Sequence, residues 1–175
     1  PGGAGCGWGP GCPGARGGRE GVARGIRGLL GDLGLTAGAE SSGAKGIQVY
    51  VPLNVPDTTP ERARSFAQAV AMLLEKQDPG LVVSSQRKDL RGGKVLIDWM
   101  QNASFKTTIG VYSLRAREFP TASTPVTWDE VERCRDGKDP AALRFEAGAV
   151  LERVERLGDL FKPAIELRQT LPVSH

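Results

Sequence analysis

The pattern of apolar and polar residues predicts both helices and strands in this chain. Residues 19–33 carry apolar residues at helical spacing, whereas residues 46–53 alternate with a period of two, as in a strand with one buried face. The apolar side of the helix comprises Val22, Ile26, Leu29, Leu30 and Leu33. The strand has Ile47, Val49 and Val51 on its buried side and Gln48 and Tyr50 on the other.

A second helix is predicted to begin at residues 58–61, Thr-Thr-Pro-Glu, because a hydroxyl cap and a proline both suit a first turn. Its apolar side comprises Ala63, Phe66, Ala67, Val70, Leu73 and Leu74. Further strands are predicted at 81–84, 94–99 and 107–112, and further helices from Thr127 and over 145–157. This order predicts an α+β fold with a mixed or antiparallel sheet and flanking helices.

Three parts of the chain are expected from its composition and pattern. Residues 1–18 are so rich in glycine that a flexible segment is expected, since glycine is entropically costly to order. Residues 19–165 carry the regular pattern and are expected to form one domain, with residues 166–175 as a tail. No apolar run is long enough to cross a bilayer and no signal peptide is recognisable, so no membrane partner is expected.

Cysteine and histidine exclude several classes of enzyme. The three cysteines, Cys6, Cys12 and Cys134, suggest no disulfide framework, which favours a reducing cytoplasm. The single histidine is His175, the last residue. A Ser-His-Asp triad, a Cys-His pair and a histidine-based zinc site therefore lack a base or a ligand.

Basic residues cluster although the net charge is only +3. The cluster comprises Arg87, Lys88, Arg91 and Lys94, and Arg115 and Arg117 follow it. Two interpretations stay open on charge alone: a solvated basic face, or a surface that contacts nucleic acid. Residues 107–117 add hydroxyl groups to these arginines, and exposed polarity at a strand end explains them nearly as well as phosphate contact.

Two other features have candidate chemistry. Residues 41–46, Ser-Ser-Gly-Ala-Lys-Gly, directly precede a strand and offer hydroxyls, backbone N–H groups and a lysine to a phosphate, although such a segment is more often a polar turn. Asp98 follows the apolar run Val95-Leu96-Ile97, where a carboxylate is costly unless it is paired or binds a metal. Pairing with Arg91 or Lys94 and metal binding are equally open.

Three segments, in their order along the chain, resemble the polymerase domain of bacterial ligase D, a member of the archaeo-eukaryotic primase superfamily. The segments are SSGAKGIQVYVPL (41–53), RGGKVLIDWMQN (91–102) and KTTIGVYSLRAREFPTASTPVTWDE (106–130). The similarity extends from about Val22 to Leu160 and covers about the C-terminal half of the family's domain. The resemblance implies a partial primase-polymerase fold with an RRM-like palm.

The resemblance also implies a function in DNA repair by non-homologous end joining. Domains of this family add ribo- or deoxynucleotides to a DNA end in a template-dependent reaction. The implied cofactor is Mn²⁺ or Mg²⁺, the implied substrates are DNA ends and nucleoside triphosphates, and the implied partners are Ku and ligase or nuclease modules. A cytoplasmic, nucleoid-associated protein is expected.

Residues at matching positions acquire expected functions from this resemblance. Ser42 and Lys45 match the motif that grips the incoming triphosphate, and Arg91 matches a second phosphate contact. Gln48 stands where the family has a histidine; it can still donate one hydrogen bond but cannot carry a positive charge.

The catalytic centre is where the chain departs most from the family. Asp98 matches the third metal-binding carboxylate and Gln101 a polar residue beside it, with Lys94, Arg115 and Arg117 as expected nucleic-acid contacts. The family's first motif, Asp-x-Asp-Pro-Gly, aligns with residues 7–11, Gly-Trp-Gly-Pro-Gly, so both aspartates are replaced by glycine. We therefore expect impaired catalysis, with two alternatives: a non-catalytic phosphate-binding remnant, or a decayed fragment that does not fold alone.

Overall fold

The computed structural model describes residues 18–116, 118, 120–137, 139 and 141–172, and the backbone of residues 3–8. The helices are α1 (Gly18–Asp32), α2 (Pro60–Gln77), α3 (Trp128–Gly137), α4 (Ala147–Leu157) and α5 (Lys162–Glu166). The strands are β1 (Gly3–Trp8), β2 (Gly38–Ser41), β3 (Ile47–Pro52), β4 (Val82–Val83), β5 (Val95–Asp98), β6 (Thr121–Ala122), β7 (Thr124–Val126) and β8 (Phe145–Glu146). Two short 3₁₀ turns, Lys88–Leu90 and Trp99–Asn102, flank β5.

Six of the strands form one mixed sheet in the order β4-β5-β1-β3-β2-β7. The β4–β5 pair is parallel, and the other neighbouring pairs are antiparallel. Strands β6 and β8 form a separate antiparallel pair. The predicted α+β class with a mixed sheet and flanking helices is therefore confirmed.

Helices α1 and α2 cover one face of the sheet and supply a large part of the core. The buried apolar residues from these two helices are Val22, Ala23, Ile26, Leu30, Ala63, Ala67, Val70, Ala71 and Leu74. The predicted cap of α2 is present, since Thr59 Oγ1 accepts a hydrogen bond from the backbone N–H of Arg62 at 3.2 Å. Leu33 and Leu73 were wrongly expected on the buried side: both are exposed, and Leu33 lies beyond the last residue of α1, Asp32.

Strand β3 is buried on both faces, which the sequence did not predict. Ile47, Val49 and Val51 face the helices, but Gln48 on the other face is only 7% exposed. The segment after α4 covers this second face, where the rings of Tyr50 and Phe161 meet edge to face with centroids 5.3 Å apart. The face of the sheet opposite α1 and α2 is thus covered near its centre by the segment after α4.

The strand predicted at residues 107–112 is absent. Residues 106–110 have no regular structure and end in a turn in which Tyr112 has a φ of 63°. Threonine and isoleucine favour strands, but here the chain forms a strand-like bridge only further on, where Leu114 pairs with Ala122. The sheet is extended instead by β7, which pairs with β2.

The two segments expected to lie outside the domain, 1–18 and 166–175, both include residues that pair or hydrogen-bond with it. Most of the glycine-rich segment 1–18 lies outside the described residues, and within it Gly3–Trp8 pairs with β3 and β5. In the segment expected as a tail, the Gln169 side chain hydrogen-bonds to Thr36 and Pro52. Within the described ranges, no helix combines the length and apolarity that a membrane span requires.

Candidate functional site

A row of paired residues crosses the sheet on the face opposite α1 and α2. Asp98 on β5 pairs with Gly7 on β1, and Gln48 on β3 pairs with Glu40 on β2. The β1–β3 register, in which Cys6 pairs with Val49, brings Gly7 opposite Gln48 one residue further on. Paired residues of neighbouring strands point to the same face. One row across the strands is therefore formed by Asp98, Gly7, Gln48 and Glu40. The Cα atoms of Asp98 and Gln48 are about 10 Å apart in this row.

Both carboxylate oxygens of Asp98 accept hydrogen bonds from glutamine side chains. Gln86 Nε2 donates to Oδ1 at 3.0 Å, and Gln101 Nε2 donates to Oδ2 at 2.9 Å. Arg91 reaches this group indirectly, since its Nη2 atom contacts the backbone oxygen and Oε1 of Gln86. The buried Nε of Arg91 has no hydrogen-bond partner among the described residues. Gln86 thus joins Asp98 to Arg91, a contact that no sequence motif signalled.

The surroundings of Asp98 do not fit a site for two divalent ions. Such a site needs carboxylates that bridge both ions, but the residue paired with Asp98 is Gly7, which has no side-chain oxygen. Nowhere in the part of the chain that the structure describes do three His, Cys, Asp or Glu residues group as metal ligands. None of the ion pairs in that same part includes Asp98, so the expected direct pairing with Arg91 or Lys94 is not seen there, and metal binding by Asp98 stays a prediction.

Residues 42–46 form a tight loop between β2 and β3. The Ser42 N–H donates to the Gly46 oxygen and the Gly46 N–H donates to Ser42 Oγ, both at 3.0 Å. Gly43 has a φ of 65° and lies directly against the backbone of Ala122. Lys45 is exposed on this loop. The geometry fixes the loop backbone and leaves the lysine in solvent.

Arg115 holds this loop in place. Its Nε donates to the Ser42 backbone oxygen at 2.9 Å, and the hydroxyl of Thr121 donates to the Gly43 oxygen. Arg115 was expected to contact nucleic acid; in this structure it is part of the loop's support. The other arginine of that expectation, Arg117, lies outside the described residues.

Lys94 lies at the same end of the sheet as the 42–46 loop. Strands β3 and β5 both run antiparallel to β1, so they run parallel to each other. The loop directly precedes β3 and Lys94 directly precedes β5. Lys45, Lys94 and Arg115 thus lie toward the same end of the sheet.

Glu40 is a buried acid that sequence reasoning missed. It lies at the end of the row, is 0% exposed, and accepts a hydrogen bond from the Ser123 hydroxyl through Oε1. Its Oε2 atom has no hydrogen-bond partner within the described ranges. Burial raises the pKa of Glu40 above its ordinary value of 4.5, opposed in part by Ser123, Tyr50 and the charge of Arg115. In the sequence, the one feature that could have pointed to Glu40 is its position directly before a loop rich in hydroxyl groups.

We expect Glu40 to make stability depend on pH. Because its folded pKa is raised, the folded protein holds this proton more tightly than the unfolded chain does. Its contribution is most favourable below pH 4.5 and is lost as pH rises through the folded pKa. Glu40→Gln should therefore stabilise the protein by about 1–2 kcal/mol at pH 8 and little at pH 4.5. Urea unfolding of both proteins at the two pH values measures this; an equal effect at both would contradict it.

Comparison with known proteins gives a consistent result. Residues 19–161 match the family model described as "LigD, primase-polymerase domain". The chain is 44% identical over 141 residues to the multifunctional non-homologous end joining DNA repair protein LigD of Mycobacterium tuberculosis H37Rv. It is 32% identical over 153 residues to the bifunctional non-homologous end joining protein LigD of Bacillus subtilis 168. These matches cover 81% and 87% of the chain.

A solved structure agrees with the sequence matches. The polymerase domain from Mycobacterium tuberculosis ligase D in complex with DNA superposes with a TM-score of 0.84 and 38% identity. The match covers 94% of this chain and 55% of that one. The chain spans only 18% of the length of the M. tuberculosis relative and 24% of the B. subtilis relative.

Proposed function

The chain belongs to the LigD primase-polymerase domain family, and from that membership we propose that it acts in DNA repair by non-homologous end joining. The family's activity is metal-dependent nucleotidyl transfer. For this chain we propose binding of nucleoside triphosphates and DNA phosphates with impaired turnover. Ku and ligase or nuclease modules are its proposed partners.

One observation carries the proposal of impaired turnover: Asp98 is paired with Gly7 and is held by two glutamine amides. Manganese and magnesium ions prefer several oxygen ligands. Asp98 supplies the only carboxylate on the row besides Glu40, which lies three strands away and is buried. We therefore propose Asp98 as the single carboxylate ligand of a divalent ion. One carboxylate is too few for the metal-dependent nucleotidyl transfer of the family.

Binding is proposed to rely on the 42–46 loop and the basic groups around it. Ser42 and Lys45 supply a hydroxyl and a cation, and Gln48 can donate one hydrogen bond at the loop's base. Arg91 keeps one buried N–H donor without a partner in the described chain. Gln101, Lys94 and Arg115 complete the proposed contact surface, to which we add Arg117 from the sequence.

We expect this binding to weaken steeply as salt rises. Each phosphate contact releases a condensed counterion, so Lys94→Ala and Arg115→Ala should each reduce the log–log salt slope for single-stranded DNA by about 0.7. Fluorescence anisotropy between 20 and 200 mM salt measures the slope. Lys76→Ala, an exposed cation on α2 at the opposite face, is the matched control and should leave the slope unchanged. Salt-independent binding, or none at low salt, would remove the proposal.

The second candidate function is active template-dependent nucleotide addition, favoured by the 38% identity and TM-score of 0.84 to a solved polymerase domain. Primer extension with Mn²⁺ and nucleoside triphosphates distinguishes the two. We expect a rate at least about a thousandfold below an intact family member, because several kcal/mol of metal-dependent stabilisation is missing. Asp98→Asn should then change nothing. Product formation that Asp98→Asn abolishes would establish the enzyme instead.

The third possibility, a decayed fragment that does not fold alone, is weakened by the continuous core beneath the sheet. That core unites residues of α1 and α2 with β3, β5 and β7 in one cluster. A cooperative thermal transition of a monomer would exclude it, whereas a non-cooperative transition would support it.

A further inference from the structure

Glu40 occupies an unusual environment for an acidic side chain. It is fully buried, yet among the described residues it forms no ion pair, and its single hydrogen bond from Ser123 leaves Oε2 unsatisfied. An ionised carboxylate is strongly disfavoured in such a place unless a partner compensates it. A buried group left unsatisfied in this way calls for an explanation.

The contacts around Glu40 connect it to the 42–46 loop. Ser123, which donates to Glu40, also lies 3.4 Å from the backbone oxygen of Ser41, directly before the loop. Arg115 donates to the next backbone oxygen, that of Ser42, and its charge also acts on Glu40. The same guanidinium therefore serves both the loop and the acid.

The groups facing Glu40 come from each element packed around it. Tyr50 and Gln48 come from β3, with the Tyr50 hydroxyl donating to Gln48 Oε1 at 2.9 Å. Ser123 comes from the link between β6 and β7, and Arg115 from the segment before β6. Burial and the nearby charge of Glu40 raise the pKa of the Tyr50 hydroxyl, whereas Tyr50 acts to lower the pKa of Glu40. Arg115 is the one cation in this set.

We propose that Glu40 couples anion binding at the 42–46 loop to the uptake of a proton. When Glu40 is neutral, Arg115 is committed to the loop and its charge is available to a phosphate-type anion bound there. When Glu40 is ionised, its negative charge offsets that of Arg115 and repels the anion. Binding of a phosphoanhydride therefore draws one proton from solvent onto the Glu40 carboxyl. This inference rests on the proposed phosphate-binding function.

Calorimetric titration with inorganic pyrophosphate tests the coupling. The Kd is measured from pH 5.5 to 8 for the unaltered chain and for Glu40→Gln, which mimics the neutral acid. We expect the Kd of the unaltered chain to rise by at least about fivefold more than that of the variant over this range. The ionisation of pyrophosphate itself is common to both proteins and cancels in the comparison. Histidine does not contribute within the described ranges, since the single histidine is His175.

A second measurement counts the protons taken up on binding directly. Repeating the titration at one pH in two buffers with different heats of ionisation gives the number of protons taken up per anion bound. We expect net uptake beyond that caused by pyrophosphate, which is determined from its binding to Glu40→Gln. Should that variant fail to unfold cooperatively, Ser123→Ala replaces it: loss of the hydrogen bond to Glu40 should move the pH dependence to higher pH.

Three outcomes separate the two proposals. A larger pH dependence in the unaltered chain, with extra proton uptake, supports the inference. Binding of pyrophosphate with the same pH profile in both proteins overturns the inference and leaves the proposed phosphate binding intact. An absence of pyrophosphate binding at any pH at low salt overturns the proposed binding function, and the coupling with it.

Discussion

Replacing Arg153 by alanine is expected to lower the free energy of unfolding by about 3–5 kcal/mol. Arg153 on α4 is 7% exposed, and its guanidinium makes a two-pronged ion pair with Glu130 on α3, with Nη2–Oε2 at 2.9 Å. The same nitrogen donates to the Pro125 oxygen of β7 at 3.1 Å, and the guanidinium lies 4.3 Å from the centre of the Phe145 ring. The truncation leaves the Glu130 carboxylate without its cation in a poorly solvated place. Urea denaturation at pH 7 measures the loss.

A surface ion pair supplies the matched control for this prediction. Lys162 and Glu166 on α5 are more than half exposed and lie 3.6 Å apart, so Lys162→Ala should cost no more than about 0.5 kcal/mol. Exchanging the whole buried pair, Glu130→Gln with Arg153→Met, should cost less than Arg153→Ala, because no charge is left unpaired. If Arg153→Ala and Lys162→Ala proved equally mild, the buried pair would not be what fastens α4 to the sheet.

The effect of Arg153→Ala should also depend on pH. Burial acts to raise the pKa of Glu130, but hydrogen bonds from Arg153 and Thr127 outweigh it and hold that pKa below its ordinary value. The stabilisation is therefore present above the ordinary pKa of a glutamate and is lost as pH falls through the folded pKa. Thr127 and Glu130 also form a capping box at the start of α3, the helix that the sequence predicted from Thr127.

Local patterns were enough to predict the elements whose formation depends on local chemistry. Helix α2 begins at Pro60 behind the Thr59 cap, and the apolar alternation of 46–53 became β3. The place of a strand within the sheet could not be predicted from such local patterns. β2, Gly-Ala-Glu-Ser, has no β-branched residue and forms because β3 and β7 flank it on both sides.

The site shows the same division between motif and environment. Residues at motif positions, such as Ser42 and Asp98, were named from the resemblance, and the sheet register places Asp98 in one row with Gln48. Gln86 and Glu40 were not named, because their importance comes from neighbours distant in sequence. Glu40 is 83 residues from Ser123, and no period or spacing encodes that contact.

Gly43→Ala is expected to lower the free energy of unfolding by about 2–4 kcal/mol and to weaken pyrophosphate binding at least tenfold. Two separate costs act at this position. Gly43 has a φ of 65°, a conformation that costs an L-residue about 1–2 kcal/mol. A Cβ atom would also lie 2.8 Å from the backbone carbon and oxygen of Ala122, which cannot move aside as a side-chain end could.

Gly34→Ala separates these two costs. Gly34 has a similar φ of 73°, but nothing lies within 4 Å of the place its Cβ would take. We expect it to lose only the conformational part, about 1–2 kcal/mol, and to bind pyrophosphate normally because it follows α1, away from the loop. Urea denaturation and calorimetric titration of both variants give the comparison. Equal stability losses, or normal binding by Gly43→Ala, would mean that the contact with Ala122 does not fix the loop. Phosphate recognition would then have to lie in side chains rather than in the shape of the 42–46 backbone.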